Sequence, residues 1–361
     1  MPLLPDADAF KRLVDGSARG PAAALARVAL AGIAGPYAAV VAGRNAAYDS
    51  GLLPAIRVPV PVVSVGNLTL GGTGKTPLVA WLARMLAARG LQPAIVSRGY
   101  GARRGERSDE AAELAVLLPD VPHVADRDRV AGARTAAAAG ARVVLLDDGF
   151  QHRRLARDLD ILAVDATDPF GCDRIFPRGL LREPLSGVRR ADAIVLTRSD
   201  AVDADRRAAI RRRFRQAGGI AAEPAWIEAT HRPVHLRSTA GGTRPLAALG
   251  SGRVAAFAGI GNPAAFRDAV AAHAADLVGF RGFPDHHAYT SADLSALADW
   301  AAGLRADLVV TTLKDLVKIR TDRLGDVPLF AIEVALDVLV GHDLLESLLA
   351  PLAARATAAF A

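Results

Sequence analysis

Cysteine is almost absent from the sequence, and aromatic residues are few. Cys172 is the single cysteine, so no disulfide can form within the chain, which is typical of proteins from reducing compartments. Aromatic residues make up 5% of the 361 residues, which argues against a nucleic-acid surface built on base stacking. Hydrophobic residues make up 51%, enough to bury a large core, so disorder is excluded and two domains are favoured over one.

Lysine is also scarce, because arginine has taken over nearly all of the basic positions. Of the 44 basic residues, only Lys11, Lys75, Lys314 and Lys318 are lysine. Three of the four, Lys75, Lys314 and Lys318, lie in motif-like contexts. A guanidinium fork does not replace a compact ammonium group at a phosphate, so the lysines in these contexts indicate functional positions. The net charge of +6 favours an anionic partner, either nucleic acid, a phospholipid surface or a phosphorylated substrate.

Residues 21–43 form an apolar, alanine-rich segment near the N-terminus. The charged and helix-breaking residues around and within it are Arg19, Arg27, Pro36 and Arg44. Its uncharged stretch, residues 28–43, is shorter than the roughly 20 residues that span a bilayer, and acidic residues before it argue against a secretory signal. We expect an interfacial helix or hairpin on a phospholipid membrane surface, with a pair of buried core helices as the alternative.

A glycine-rich loop follows the apolar run that starts at residue 60. The loop consists of Thr69, Leu70, Gly71, Gly72, Thr73, Gly74, Lys75 and Thr76, and Pro77 follows at the start of a predicted helix. Glycines let backbone N–H groups turn towards phosphate oxygens, Lys75 adds a point charge, and the Thr76 hydroxyl is suited to Mg²⁺. Thr69 stands where the usual template has its first glycine. The pattern predicts a nucleotide-binding site.

Two adjacent carboxylates, Asp147 and Asp148, follow the predicted strand of residues 142–146. This is the setting in which phosphate-loop enzymes hold Mg²⁺ opposite the loop hydroxyl. Neighbouring carboxylates repel each other unless a cation neutralises them. We therefore predict a magnesium site here, without deciding which aspartate binds the metal directly, and one of the two is alternatively a helix cap.

Two polar clusters supply candidates for a catalytic base. A kinase that acts on a hydroxyl benefits from a base near the attacking oxygen, and the candidates are Asp109, Glu110 and the segment Asp285-His286-His287. An Asp-Glu pair in a loop is also typical of a helix cap. The Asp-His-His segment is compatible with a metal site, but it lacks a second cluster at a ligand-like spacing.

Short apolar runs alternate with helical patterns along the chain, which predicts an α/β fold with a mostly parallel sheet. The predicted strands of the first domain are residues 60–65, 94–96, 142–146, 161–164 and 194–197. The alternation of apolar runs and helical segments is interrupted around residues 225–237. A second set of predicted strands and helices begins at residue 254. We predict an N-terminal membrane-associated segment (1–50), a phosphate-loop domain (51–235), a second α/β domain (236–335) and a C-terminal helix (336–361).

Seven motifs occur in an order that resembles one family, the tetraacyldisaccharide 4'-kinases of lipid A biosynthesis. They are V-G-N-L-T-L-G-G-T-G-K-T-P, S-R-G-Y-G, S-D-E, D-D-G-F-Q-H-R, L-R-E-P, F-P-D-H-H-A-Y and T-T-L-K-D-L-V-K. The resemblance implies transfer of the γ-phosphoryl group of ATP to the 4'-hydroxyl of a tetraacylated glucosamine disaccharide 1-phosphate, forming lipid IVA. It also implies a P-loop NTPase-type α/β/α sandwich with a second, smaller α/β/α domain and an apolar N-terminal helix.

The resemblance assigns roles at matching positions. Asp109 and His286 match the family's acid/base pair, with His286 favoured over His287. Gln151, Arg182 and Glu183 match positions that line the cleft, and Lys314 matches a motif whose chemical role the sequence does not give. The resemblance further implies ATP and Mg²⁺ and the cytoplasmic face of the inner membrane. A separate hypothesis is that domain closure across the boundary near residue 235 brings His286 towards the loop. No nucleic-acid partner and no obligate protein partner is indicated.

Two other classes of function remain open at this point. Thr197-Arg198-Ser199-Asp200 follows a predicted strand and has a distant likeness to the guanine-reading motif of a GTPase or ATPase switch at the membrane, but it lacks the asparagine and lysine of that motif. A membrane-bound nucleotide-binding module without catalysis is the other alternative.

Overall fold

The computed structural model describes residues 7–99, 108–219 and 223–358. They form two compact units. The first unit contains residues 1–99, 118–231 and 336–361, and the second contains residues 100–117 and 232–335.

The helices and strands are as follows. The helices are α1 (Ala7–Asp15), α2 (Pro21–Asp49), α3 (Lys75–Ala88), α4 (Asp109–Leu117), α5 (Arg129–Ala138), α6 (Ala204–Gly218), α7 (Pro263–Ala271), α8 (Ser291–Gly303), α9 (Leu313–Ile319) and α10 (His342–Ala358). The strands are β1 (Val62–Gly66), β2 (Pro93–Ser97), β3 (His123–Ala125), β4 (Val143–Asp147), β5 (Leu159–Asp165), β6 (Ala193–Thr197), β7 (Ala225–Arg237), β8 (Thr243–Pro245), β9 (Arg253–Ala258), β10 (Asp276–Gly282), β11 (Leu308–Thr312), β12 (Arg323–Leu324) and β13 (Val327–Val340).

The first unit is built on a parallel sheet in the order β7-β6-β5-β1-β4-β2-β3. Strands β1, β4 and β6 are buried along their whole length, because crossover helices cover both faces of a parallel sheet. The register pairs Val65 of β1 with Asp147 of β4, so the carboxyl ends of these strands meet at one edge. The predicted α/β fold with a parallel sheet is confirmed.

The second unit contains parallel strands in the order β10-β9-β11-β13. Helix α4 belongs to this unit although its residues lie within the predicted first domain, because α4 packs on α9 and Asp109 faces Lys318. The predicted boundaries at 235 and 335 fall inside strands β7 and β13, where no linker interrupts the chain. Sequence reasoning missed β3 and β10, because β3 has only three residues and neither strand contains a fully buried residue.

Helix α2 is one continuous helix of 29 residues, so of the two forms expected for the apolar segment, a helix or a hairpin, the structure has the helix. Pro36 lies inside it and removes only one backbone donor, a loss that a helix of this length tolerates. Its length, about 44 Å at 1.5 Å per residue, and its composition are sufficient to cross a membrane. Only 6% of its most apolar window is buried, so the alternative of buried core helices is wrong.

Candidate active site

The phosphate loop connects the end of β1 to the start of α3 in the first unit. Gly74 immediately precedes α3 and has a φ of 76°, in the left-handed region that favours glycine. A Cβ atom added at this position would overlap the ring of His231. Both the conformation and the space therefore require glycine at this point of the G-K-T sequence.

The first half of the loop lies against the L-R-E-P segment. The N–H of Leu70 donates to the carbonyl oxygen of Leu180 at 2.7 Å, and the N–H of Arg182 donates to that of Leu68 at 2.7 Å. Thr69, the residue that replaces the template glycine, is buried and forms an isolated bridge with Leu181. The structure thus brings together two predicted site segments that lie more than 100 positions apart in the chain.

Lys75 and Arg182 both contact the carboxylate of Asp148. The Arg182 guanidinium donates to the two carboxylate oxygens at 2.9 and 2.8 Å, and Lys75 Nζ lies 3.4 Å from Oδ1. Burial acts to raise the pKa of Asp148, but the charges of Lys75 and Arg182 outweigh it and hold that pKa at about 2. Asp148 is therefore ionised throughout the physiological range.

Three oxygen-bearing side chains lie around this end of the sheet. Asp147 is the last residue of β4 and is buried, Asp148 follows it, and Thr76 is in the first turn of α3. Carboxylate and hydroxyl oxygens are the ligands that Mg²⁺ prefers. The buried Thr73 Oγ1 has no hydrogen-bond partner among the described residues, which fits a loop that binds an oxygen-rich group.

Glu183 joins helix α2 to the site. Its carboxylate is fully buried and accepts hydrogen bonds from Arg190, from Gln151 Nε2 at 3.0 Å and from Asn45 Nδ2 of α2 at 2.9 Å. Gln151 also donates to the carbonyl oxygen of Asn67 at 2.8 Å. Sequence reasoning missed Asn45 and Arg190, although an asparagine at the end of an alanine-rich helix was a usable signal.

Asn67 is a further residue that sequence reasoning missed. Its Oδ1 accepts a hydrogen bond from Lys75 Nζ at 3.1 Å, and its Nδ2 donates to the carbonyl oxygen of Thr69 at 2.6 Å. One fully buried amide therefore connects the first residue of the loop to its lysine. Its place directly after β1 was the available signal.

The second unit contains the predicted acid/base residues. Asp109, the first residue of α4, lies with Oδ2 3.0 Å from Nδ1 of His286. Lys314 Nζ lies 3.2 Å from Nε2 of His286 and 3.1 Å from Asp285 Oδ1. Because an ammonium group only donates, these partners assign the proton of the neutral imidazole to Nδ1 and leave Nε2 as an acceptor.

The charges around His286 shift the pKa of both partners. The hydrogen bond to Asp109 raises the pKa of His286 above its ordinary value, against the opposing effects of burial and Lys314. Burial acts to raise the pKa of Asp109, but the hydrogen bond from His286 and the charge of Lys318 lower it overall. Glu110, the next residue of α4, adds a small effect that raises the pKa of His286.

His287 has different neighbours from His286. Its Nε2 lies 3.2 Å from Asp293 Oδ2, and its ring packs against Phe283 and Tyr289. Asp293 also forms the capping box that begins α8. The two histidines contact different carboxylates, so the Asp-His-His segment does not converge on one metal.

The glycine-rich loop, its lysine and the paired carboxylates at the end of the neighbouring strand β4 define a P-loop nucleoside-triphosphate-binding protein. The family model for the tetraacyldisaccharide-1-P 4'-kinase, LpxK, matches residues 26–353. The chain belongs to this family, as the motif order predicted.

Relatives and a solved structure agree with the family model over most of the chain. The chain is 42% identical over 354 residues to the tetraacyldisaccharide 4'-kinase of Anaeromyxobacter dehalogenans strain 2CP-C, a match that covers 92% of each protein. It is 39% identical to that of Geobacter sulfurreducens, covering 89% of this chain and 92% of the relative. The crystal structure of LpxK from Aquifex aeolicus in complex with ATP has a TM-score of 0.72 and 30% identity, covering 90% of this chain and 99% of that one.

Proposed function

We propose that this protein is an ATP-dependent kinase that phosphorylates the 4'-hydroxyl of a tetraacyldisaccharide 1-phosphate and so forms lipid IVA. Membership of the family supports this activity, and the switch alternative is not favoured. The contact between Asp109 and His286 carries the proposal, because a nucleotide-binding module without catalysis has no need of an imidazole oriented by a carboxylate.

The first unit would bind the nucleotide. Backbone N–H groups of the loop and the Lys75 ammonium would bind the β- and γ-phosphates, and Arg182 would keep Asp148 oriented. Thr76, Asp147 and Asp148 would hold Mg²⁺. When bound, that ion neutralises charge on the phosphate oxygens.

The second unit would supply the base. Nε2 of His286 accepts the proton of the 4'-hydroxyl as the sugar oxygen bonds to the γ-phosphorus, and the bond from that phosphorus to the bridging oxygen of ADP breaks. Asp109 stabilises the imidazolium that forms, and the proton then passes to solvent. Lys314 Nζ contacts the same Nε2 atom of His286. Lys314 would move away from Nε2 so that this atom can accept the proton of the substrate hydroxyl.

Helix α2 would hold the enzyme at the bilayer that contains its substrate. Exposing an acyl chain to water costs about 0.8 kcal/mol per CH₂, so a lipid with four chains stays in the membrane. Leu25 and Val40 of α2 are 72% and 71% exposed, as expected for side chains that contact lipid. Because ATP is cytoplasmic, we place the enzyme on the cytoplasmic face of the inner membrane.

The proposal is tested with purified full-length protein in detergent. The protein is incubated with Mg²⁺, the disaccharide 1-phosphate and ATP labelled at the γ-phosphate. We expect label to enter the lipid fraction, and we expect His286→Ala to lose this transfer while it still binds ATP. Equal lipid labelling by the wild type and His286→Ala would refute the assigned base.

A further inference from the structure

The end of strand β6 holds the backbone of the phosphate loop. Thr197, the last residue of β6, is fully buried, and its hydroxyl donates to the carbonyl oxygen of Thr73 at 2.9 Å, with the carbonyl oxygen of Val164 as a more distant second acceptor at 3.2 Å. The next residue, Arg198, donates through Nη1 to the carbonyl oxygen of Gly72 at 3.2 Å. Two successive carbonyl groups of the loop are therefore bonded to neighbouring residues of a single segment.

Arg198 is itself held in place. Its Nη1 forms an ion pair with Asp165, the last residue of β5, and Asp165 Oδ1 also accepts hydrogen bonds from the N–H and hydroxyl of Thr167 at 2.9 and 2.7 Å. The backbone of Arg198 has a φ of 50°, in the left-handed region that a residue with a side chain seldom adopts. Such a conformation persists only where surrounding contacts fix it.

His231 fills the space on another side of the loop. Its ring is so close to Gly74 that an added Cβ atom would overlap it. Burial and the nearby charge of Arg198 lower the pKa of His231 to about 4, so the ring is neutral at physiological pH. The ring therefore confines Gly74 sterically and adds no charge.

The hydrogen bonds to these carbonyl groups also fix the direction of N–H groups in the same loop. Within one peptide unit the C=O and N–H bonds point in opposite directions, so fixing a carbonyl oxygen also fixes the direction of the N–H that follows it. The N–H groups that follow Gly72 and Thr73 belong to Thr73 and Gly74, in the part of the loop that cradles phosphate. Donors fixed before the ligand arrives cost little reorganisation on binding.

We propose that Thr197 and Arg198 are positioning residues for the triphosphate of ATP, acting through the carbonyl groups of Thr73 and Gly72. This inference rests on the proposed ATP site at the phosphate loop. The Thr197-Arg198-Ser199-Asp200 segment would then orient the phosphate loop and would not recognise a guanine base. The Arg198 guanidinium already contacts the loop carbonyl group of Gly72 and the carboxylate of Asp165.

The experiment measures Mg-ATP binding to the full-length protein in detergent by calorimetry. Thr197→Val keeps the shape of the side chain and removes the donor, Thr197→Ser keeps the donor, and Arg198→Met removes the guanidinium. Arg89→Met is the matched control, because Arg89 pairs with Glu346 on α10. Steady-state assays with each variant then separate KM for ATP, KM for the lipid acceptor and kcat.

We expect Thr197→Val to weaken ATP binding about tenfold and Arg198→Met to weaken it by about the same factor. The affinity of Thr197→Ser for ATP should lie within about twofold of wild type, because the hydroxyl donor is kept. If Thr197 acted only through packing, loss of its methyl group would weaken binding in this variant too. KM for ATP should rise in parallel while KM for the lipid acceptor stays unchanged, and Arg89→Met should match wild type.

Other results would overturn the inference. Wild-type affinity in Thr197→Val removes the role of the hydroxyl, and equal weakening in Thr197→Ser and Thr197→Val shows that packing alone matters. Should Thr197→Val fail to fold, Arg198→Met decides, because its side chain is partly exposed and wild-type ATP affinity there contradicts the proposal. A wild-type protein that does not bind ATP overturns the proposed function as well, so the two failures are distinguishable.

Discussion

Asn45 Nδ2 of the apolar helix α2 donates a 2.9 Å hydrogen bond to Oε2 of the fully buried Glu183. Asn45 is the only buried residue within that helix among those the structure describes. Glu183 in turn accepts from Gln151, which reaches the backbone of Asn67 beside the loop lysine. The helix that we assign to the membrane is thereby bonded to the residues around the phosphate loop.

Loss of the Asn45 side chain should destabilise the first unit. Asn45→Ala removes one donor to a buried charged group, which costs about 1–3 kcal/mol of unfolding free energy. We expect a lower unfolding temperature in detergent, measured by circular dichroism. Val40→Ala, on the exposed part of the same helix, should unfold like wild type. If both variants unfold at the wild-type temperature, the contact contributes no stability.

The two neighbours of His286 should move the acid limb of the pH profile in opposite directions. The neutral imidazole is the proposed base, so kcat/KM is full above its pKa and is lost as pH falls through it. That pKa should lie above the usual value of about 6.5. Asp109→Asn should lower it, and Lys314→Met should raise it, since Lys314 opposes the imidazolium. Shifts of the same sign in both variants would contradict the assignment.

The two adjacent histidines should differ sharply when they are substituted. His286→Ala should reduce kcat by about 10²–10⁴-fold, the usual contribution of a general base. His287→Phe keeps a ring against Phe283 and Tyr289 and should retain kcat within about threefold while it unfolds at a lower temperature, because contacts with Asp293 are lost. Steady-state kinetics with saturating ATP check this, and the reverse order of effects would identify His287 as the base.

Lys75 should be required for triphosphate binding in a way that arginine cannot replace. Lys75→Met should weaken ATP binding by about 10²-fold. Lys75→Arg should also bind ATP weakly, because the planar guanidinium group of arginine does not replace the compact ammonium group of lysine at the phosphates. Lys11→Met, at an exposed lysine on α1, is the matched control and should bind ATP normally. Calorimetry with Mg-ATP measures all three, and full affinity in Lys75→Arg would contradict the point-charge role.

The exposed face of α2 should determine membrane attachment and leave nucleotide binding unaffected. The four substitutions to serine are at Leu25, Val28, Ile33 and Val40, all more than half exposed. Each exposed apolar side chain contributes about 1.5–3 kcal/mol when buried, so vesicle binding should fall by more than about 10²-fold. Leu339→Ser with Val340→Ser, exposed positions outside α2, should sediment with phospholipid vesicles like wild type. Unchanged sedimentation of the α2 variant would place the membrane contact elsewhere.

The parts of the molecule that were predictable from sequence are those fixed by local pattern. Strands β1 and β4 are continuous apolar runs, and the glycines and lysine of the loop are adjacent in the chain, so the P-loop class and the family could be recognised. Contacts between distant segments could not be predicted in this way, because no local pattern records that Asn45 meets Glu183 or that Thr197 bonds Thr73. The sequence also does not decide between a single helix and a hairpin for residues 21–43, because Pro36 is compatible with either a break or a continuous helix.

The most direct test of the account determines where the phosphate goes. Purified protein, Mg²⁺, ATP and the tetraacylated disaccharide 1-phosphate are incubated in detergent, and the lipid product is analysed by mass spectrometry and phosphorus NMR. We predict a bisphosphorylated disaccharide with its new phosphate at the 4' position and one ADP released per product. A lipid that remains monophosphorylated while ATP is hydrolysed, or while a soluble acceptor is phosphorylated, would contradict the central claim.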